Sequence, residues 1–509
     1  MEELGFGPKW RRWIEGCQSN ARASILVNGV PTDEFEMGRG LRQGDPMSPF
    51  LFILAIEGFH AVLQKAVQVE VFKPAYIGDD GFRVSNLLYV DDIVFMGEWS
   101  TQNVTNLIGL LRCFYVISGL KINVSKSKIL GLGVDVLESR GMAEVLGCGV
   151  ADLPFSYLGV PVGCNMSRVN SWKPVVDKFK AKLSTWKARS LSVGGRLLLL
   201  KAVLGNLPTY YMSICKIPVA VEKTLEALRR NFFLGGELDE KKMTWVAWRK
   251  CLAKTELGGL GIGSIFAFNR ALLFKWVWRF RCQPNDLWAR VTSNVYGIDG
   301  RIGEAVAGSA FSPWISVLKS TYGLLEKGVD LLGCRKRQIG DGSSIRFWQE
   351  TWLGSSTLKD RFPRNFALET VNDCMVVDRV AEVNWLSILR RQPRGGIEEA
   401  QMRDLREELN RVILCNKKDG WVWENQGAFG YTAASGRDLI DVKVLEVDTI
   451  ATRWSKLVPT KVNVFAWCLG LNRIPTKVNL DNRGLDLGSV LCSICESDMA
   501  MTLWEMVGR

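Results

Sequence analysis

Short apolar runs separated by Gly, Asn and Asp occupy the first part of the chain, alternating with longer stretches of helical period. Residues 48–67 carry apolar side chains at Phe52, Leu54, Ile56, Phe59, Val62 and Leu63. With Pro49 suited to a first turn, this pattern predicts a helix buried by those residues. Residues 87–90 and 93–96 are two β-prone runs that meet at Asp91-Asp92. They predict a tight hairpin with both carboxylates at its tip. Residues 23–30 predict a second hairpin, turning at Asn28-Gly29. A short helix is predicted over 8–14, with Pro8 in its first turn, and an amphipathic helix over 101–119, closed by Gly119. Between 173 and 201, apolar residues interleave with Lys173, Lys178, Lys180, Lys182, Lys187, Arg189, Arg196 and Lys201 against the single acid Asp177. That spacing suits amphipathic helices with a basic outer face. Residues 220–290 predict helices packed by Trp245, Trp248, Trp276 and Trp278, interrupted by a turn at Gly258-Gly259-Leu260-Gly261. The stretch 395–413 reads as an exposed linking helix.

Composition narrows the function. The chain has 509 residues, enough for several domains, and its 47% hydrophobic content is that of a globular protein. Lys+Arg 65 against Asp+Glu 53 gives a net charge of +12, which favours a polyanionic partner. The 13 cysteines are scattered, and only Cys492 and Cys495 form a close pair. That is no disulfide framework, and it points to a reducing compartment. His60 is the single histidine, which argues against histidine-based nucleophiles and zinc hydrolases. The N-terminus shows no signal peptide, and no uninterrupted apolar run approaches the ~20 residues that span a bilayer. No membrane association is expected.

Two adjacent aspartates admit two readings. Aspartate bonds its own backbone and is common in turns, and Asp79-Asp80, lacking apolar flanks, is read that way. Asp91-Asp92 on a rigid tip can instead hold a divalent metal, since Mg²⁺ takes hard oxygen ligands, commonly one or two carboxylates plus substrate phosphates. Upstream, residues 38–52 form a glycine-rich turn running into the apolar helix, with Gly40, Gln43, Gly44, Ser48 and Pro49 in a Gly-x-x-Gln-Gly-x-x-x-Ser-Pro pattern. Together with Tyr89, Asp91 and Asp92 in a Tyr-x-Asp-Asp pattern, it closely resembles the palm of reverse transcriptases of the non-LTR (LINE-type) retrotransposon family, as found in plants. A further match is Gly119-Leu120-Lys121-Ile122-Asn123, followed by Lys126-Ser127. Residues 155–161 resemble the strand by which the family leaves the palm. Residues 454–467 and the Cys492-Ser493-Ile494-Cys495 pair resemble its C-terminal zinc-binding module.

The resemblance implies an α+β fold: a partial right-hand palm over 1–164, a helical thumb or connection over 165–300, a mixed region over 301–450 and a partial zinc-binding-like module over 451–509. It implies RNA-directed DNA polymerisation with Asp91 and Asp92 as metal ligands for Mg²⁺ or Mn²⁺. Arg42, Gln43, Gly44, Tyr89, Lys121 and Lys126 would meet the template or the incoming nucleotide. The implied partners are an RNA template, a DNA primer and deoxynucleoside triphosphates, in the nucleus or cytoplasm. In the family, a strand bearing the first catalytic aspartate precedes this segment. The chain starts after it, so the expectation is a truncated polymerase, inactive alone. The alternatives are a non-catalytic nucleic-acid-binding protein or a retroelement relic. Cys492 and Cys495 supply two of the four ligands of a tetrahedral Zn²⁺ site, so zinc is not expected unless a distant cysteine such as Cys468 contributes.

Overall fold

The computed structural model describes residues 1–491 apart from 3, 20–21, 37–43, 79–80, 187, 237–242, 305–311, 381, 383, 386 and 424–429. The chain divides into two compact units, Met1–Cys164 with Arg290–Gly300, and Asn165–Ala289 with Arg301–Arg509. Helices alternate with small sheets, an α+β composition. Every sheet among the described residues is two-stranded, so no broad antiparallel sheet forms here.

In the first unit the helix Ser48–Gln68 starts with proline in its first turn, and Gly44 precedes it at φ 88°. That backbone conformation suits glycine and strains other residues. Asp45 Oδ1 accepts the Met47 amide at 2.7 Å and organises the approach to the helix. The buried residues are Phe59, Leu63 and Ala66, packed with Phe72. Phe52 and Ile56 continue that stripe, half-buried, whereas Val62 lies about 100° off it and is exposed. By length and composition alone this helix could cross a membrane (mean hydropathy 1.6), although no uninterrupted apolar run signals it.

The helix Thr101–Ser118 is fixed at both ends. The Ser100 side chain accepts the Asn103 amide, and Gly119 closes the helix at φ 74°. Residues 155–161 form a hairpin rather than one strand: Phe155–Tyr157 pairs with Val160–Val162 across Leu158 and Gly159, both at positive φ. The Asn28-Gly29 turn has the same signs of φ and joins Leu26–Val27 to Val30–Pro31. Such two-residue turns match the twist of the flanking strands.

The second unit is built on helices. In Lys173–Thr185 the residues Val175, Phe179 and Leu183 recur every four positions and are buried, while Lys173, Lys178, Lys180 and Lys182 stay exposed. They join a core with Trp172, Leu200, Leu204, Met212 and Leu225, to which Val464 and Trp467 from far along the chain also belong. Each such burial stabilises by about 1.5–3 kcal/mol. Two residues of the expected basic face serve the fold instead. Arg196 donates to the carbonyls of Phe233 (2.9 Å), Ala188 (3.0 Å) and Leu191 (2.8 Å). Lys201 sits 5.8 Å from the centre of the Trp454 ring. Lys187 lies outside the described residues.

The helix Ile265–Cys282 packs against Pro313–Leu325 and Ala433–Val444. A second core gathers Ile345, Phe347, Trp348, Met402, Leu405 and Leu409. The helix Ile397–Leu409, expected to be an exposed linker, therefore buries one face, because Met402, Leu405 and Leu409 share a stripe of helical period. The Gly340–Ser344 loop is held by one carboxylate. Asp419 accepts the amides of Gly340 (2.7 Å), Gly342 (2.9 Å) and Ser344 (2.8 Å), and the Ser344 hydroxyl. Burial raises its pKa, but these donors outweigh burial and hold it below the usual carboxylate range. Its stabilisation is complete above the unfolded carboxylate pKa of about 4 and is lost as pH falls through the lowered folded value. Asp419→Ala strips three backbone amides of their acceptor. It is expected to destabilise this region by about 2–3 kcal/mol near neutral pH. Denaturant unfolding at several pH values checks this: the gap between variant and wild type should close in acid, and a gap independent of pH would refute it.

Candidate active site

The hairpin predicted around Asp91-Asp92 is present. Asn86–Tyr89 pairs antiparallel with Asp92–Phe95, in the register Asn86↔Phe95, Leu87↔Val94, Leu88↔Ile93 and Tyr89↔Asp92. The connection is therefore two residues, Val90 and Asp91. Asp91 occupies the turn, and Asp92 opens the second strand opposite Tyr89. Paired residues of a hairpin project to the same face, so the Tyr89 ring and the Asp92 carboxylate are neighbours.

Val90 has φ 52°. A β-branched residue in the left-handed region is a genuine outlier, costing of order 1–3 kcal/mol, and such strain clusters where geometry serves function. Positive φ at the first turn position only is the sign pattern of a type II′ turn, which normally takes glycine there. Asp91 and Asp92 are exposed, and neither carboxylate has a hydrogen-bond or ion-pair partner among the described residues. Two unpaired hard oxygen donors on a short, paired turn fit a Mg²⁺- or Mn²⁺-type ion that takes its remaining ligands from phosphates and water.

The hairpin is anchored from behind by the helix Ser48–Gln68. Phe95 meets Phe59 edge-on, with ring centroids 6.0 Å apart. Asn86 Nδ2 lies 3.3 Å from His60 Nδ1, and Asn86 Oδ1 accepts the Ser85 hydroxyl at 2.8 Å. Gln64 donates to that hydroxyl at 3.3 Å. His60 and Gln64 are one helical turn apart on Ser48–Gln68, so one helix face holds the strand leading to the aspartates. His60 thus supports the hairpin, where the sequence assigned it no role. At the other end of the hairpin, the Met96 amide bonds the Ser85 carbonyl (2.8 Å) and the Ala75 amide bonds the Met96 carbonyl (3.2 Å). The Ala75 bond ties the hairpin to its neighbour, Ala75–Ile77 with Phe82–Val84.

The other predicted residues divide. Gly44 is the positive-φ residue before the helix, whereas Arg42, Gln43 and the Asp79-Asp80 pair lie outside the described residues. Lys121 and Lys126 are exposed on the segment after Gly119. Asn123 organises that segment: its side chain accepts the Lys126 amide at 3.2 Å and the Ser125 hydroxyl at 2.7 Å. No ion pair joins either lysine to Asp91 or Asp92 among the described residues. Cys492 and Cys495 lie outside the described residues. Cys468 and Cys251 line one cavity, and burial pushes their thiols up to about 11 and about 12. Among the described residues no group of three or more His, Cys, Asp or Glu is placed to hold a metal.

Residues 1–162 match the family described as reverse transcriptase (RNA-dependent DNA polymerase). Residues 431–502 match the family described as zinc-binding in reverse transcriptase. A putative ribonuclease H protein of Arabidopsis thaliana is 28% identical over 347 residues, covering 65% of this chain and 52% of that protein. An uncharacterized mitochondrial protein of the same plant is 31% identical over 153 residues, 30% of this chain and 95% of that protein. The retrovirus-related Pol polyprotein of a type-2 retrotransposable element of Drosophila melanogaster is 24% identical over 305 residues, 55% of this chain and 26% of that protein. The chain thus spans about half the length of the first of these relatives.

Proposed function

Because the chain belongs to the reverse-transcriptase family of non-LTR retroelements, we propose that its hairpin aspartates serve RNA-templated DNA synthesis. The observation that carries the reading is a pair of exposed carboxylates on a strained turn, without a partner among the described residues and within the segment that matches the family. Residues 1–164 would be the palm, 165–300 the thumb and connection, 301–450 a mixed region and 451–509 part of a zinc-binding-type module. A primer 3′-hydroxyl attacks the α-phosphate of a deoxynucleoside triphosphate, forming a phosphodiester bond and releasing pyrophosphate. Mg²⁺ or Mn²⁺ would supply Lewis-acid stabilisation of the attacking and leaving oxygens. Asp91, in the turn, and Asp92, at the start of the second strand, would hold the ion. By the family resemblance, Arg42, Gln43, Gly44 and Tyr89 would meet the template and incoming nucleotide, and Lys121 and Lys126 would offset triphosphate charge. No third carboxylate stands with Asp91 and Asp92 among the described residues.

A second reading, nucleic-acid binding without catalysis, rests on the exposed lysines of Lys173–Thr185. The deciding experiment is extension of a DNA primer on an RNA template with Mg²⁺, beside duplex affinity measured across a salt series. Metal-dependent extension supports the first reading. Salt-sensitive binding without extension leaves the second, and absence of both refutes each. Replacing Lys178 and Lys182 together by glutamine is expected to flatten the log K against log salt slope by about 1–2, since each phosphate contact contributes close to one unit. An unchanged slope would remove this helix from the binding surface.

A further inference from the structure

The second unit contains a cavity of about 270 Å³ that the polymerase reading does not use. Phe233, Trp245, Trp248, Phe465 and Trp467 form much of its wall, and Arg230 and Arg473 also line it. It is smaller than the ~300–1,000 Å³ of sites for drug-sized ligands, so it has room for a single ring system. Its aromatic walls offer ring surface rather than donors. Trp248 Nε1 donates to Glu226 at 2.8 Å, and Trp467 Nε1 donates to the Gly258 carbonyl at 2.9 Å. The Arg483 guanidinium lies 4.5 Å from the Trp245 ring centre and donates to the Thr244 carbonyl at 2.9 Å.

Two features distinguish this slot from an ordinary packing gap. Phe465 lines it yet is 58% exposed, although its helix neighbours Val464 and Trp467 are buried. The guanidiniums of Arg230 and Arg473 have no hydrogen-bond or ion-pair partner among the described residues, unlike Arg196 in the same wall, which is committed to three carbonyls. A ligand matching both features carries a flat, largely apolar ring and an anionic group attached to it. We propose that the slot takes an unpaired nucleobase of a single-stranded nucleic acid, stacked on Phe465 and the tryptophan walls, with the adjoining phosphates on Arg230 and Arg473. Base stacking on aromatic side chains with arginine on the backbone is the general physics of single-strand binding. This inference does not rest on the chemistry of the aspartate hairpin.

The test uses the full chain and two labelled oligomers of equal length and charge, one of deoxythymidylate and one of abasic deoxyribose phosphate. Wild type is expected to bind the thymidylate oligomer at least ~5-fold more tightly at the same salt. Phe465→Ala, at an exposed position, should erase that preference and leave the melting temperature unchanged. Arg473→Gln should weaken both oligomers alike. Asp91→Ala should change neither affinity, which separates failure here from failure of the polymerase reading. Equal wild-type affinity for the two oligomers overturns the proposal, and so does a preference that survives Phe465→Ala. In the first case the slot belongs to something other than a base, such as an apolar side chain of a protein partner.

Discussion

Asp91→Ala is expected to lower metal-dependent primer extension at least ~10³-fold while duplex affinity and thermal stability stay at wild-type values. Asp91 sits in the two-residue connection of its hairpin and has no partner among the described residues. Its removal therefore breaks no hydrogen bond and leaves the Tyr89↔Asp92 register intact. What is lost is a charged oxygen ligand at the site where phosphate charge develops in the transition state, the kind of contribution that usually dominates catalysis. Asp91→Asn keeps the shape and removes the charge, so it should behave like alanine. Single-nucleotide incorporation with Mg²⁺ and with Mn²⁺ measures the rate, and Mn²⁺ binding followed by electron paramagnetic resonance measures the ligand directly. Equal rates for wild type and both variants would exclude this hairpin as the metal site.

Gly259→Ala is expected to destabilise the second unit by about 3 kcal/mol, the upper end of overpacking costs. A Cβ at this position would lie 2.1 Å from the Ala253 carbonyl oxygen, 2.5 Å from its carbon and 2.7 Å from the Lys250 carbonyl oxygen. All three are backbone atoms, which cannot rotate away as a side-chain end can. The turn is tied closely to what surrounds it. Gly259 donates its amide to Lys254 at 2.9 Å, and Gly261 donates to Ala253 at 2.6 Å. From the far end of the chain, Trp467 donates to the Gly258 carbonyl and Thr452 to the Gly259 carbonyl, at 2.9 and 2.8 Å. Displacing the turn should therefore release Trp467 as well, and with it a wall of the aromatic slot. Tryptophan-detected denaturant unfolding would show the shift. A wild-type midpoint would mean the loop relaxes freely, contrary to the packing described.

The local elements were legible because their signals are local. Asn28-Gly29 and Gly119 state a turn and a helix end through residues that act within a few positions. The aspartate hairpin was legible for the same reason, since apolar runs of matched length flank the acidic pair. The Leu158-Gly159 turn was passed over as part of a strand, because leucine is an uncommon residue at positive φ.

What the sequence by itself determined is therefore the succession of helices and hairpins, the place of Asp91 and Asp92 at a hairpin tip, and the basic, apolar-backed pattern of 173–201. Tertiary structure alone decided which polar groups are free to act. Arg196 and Lys182 look alike in sequence, yet Arg196 is committed to three backbone carbonyls while Lys182 remains exposed. His60 and Asn86 meet only because a helix and a strand 26 residues apart pack together. Trp467 reaches Gly258 across 209 positions, and the aromatic slot exists only once that contact closes. Spacing along a chain encodes contacts over one or two turns. Contacts over hundreds of residues follow from how buried surfaces fit, which no single stretch of sequence contains.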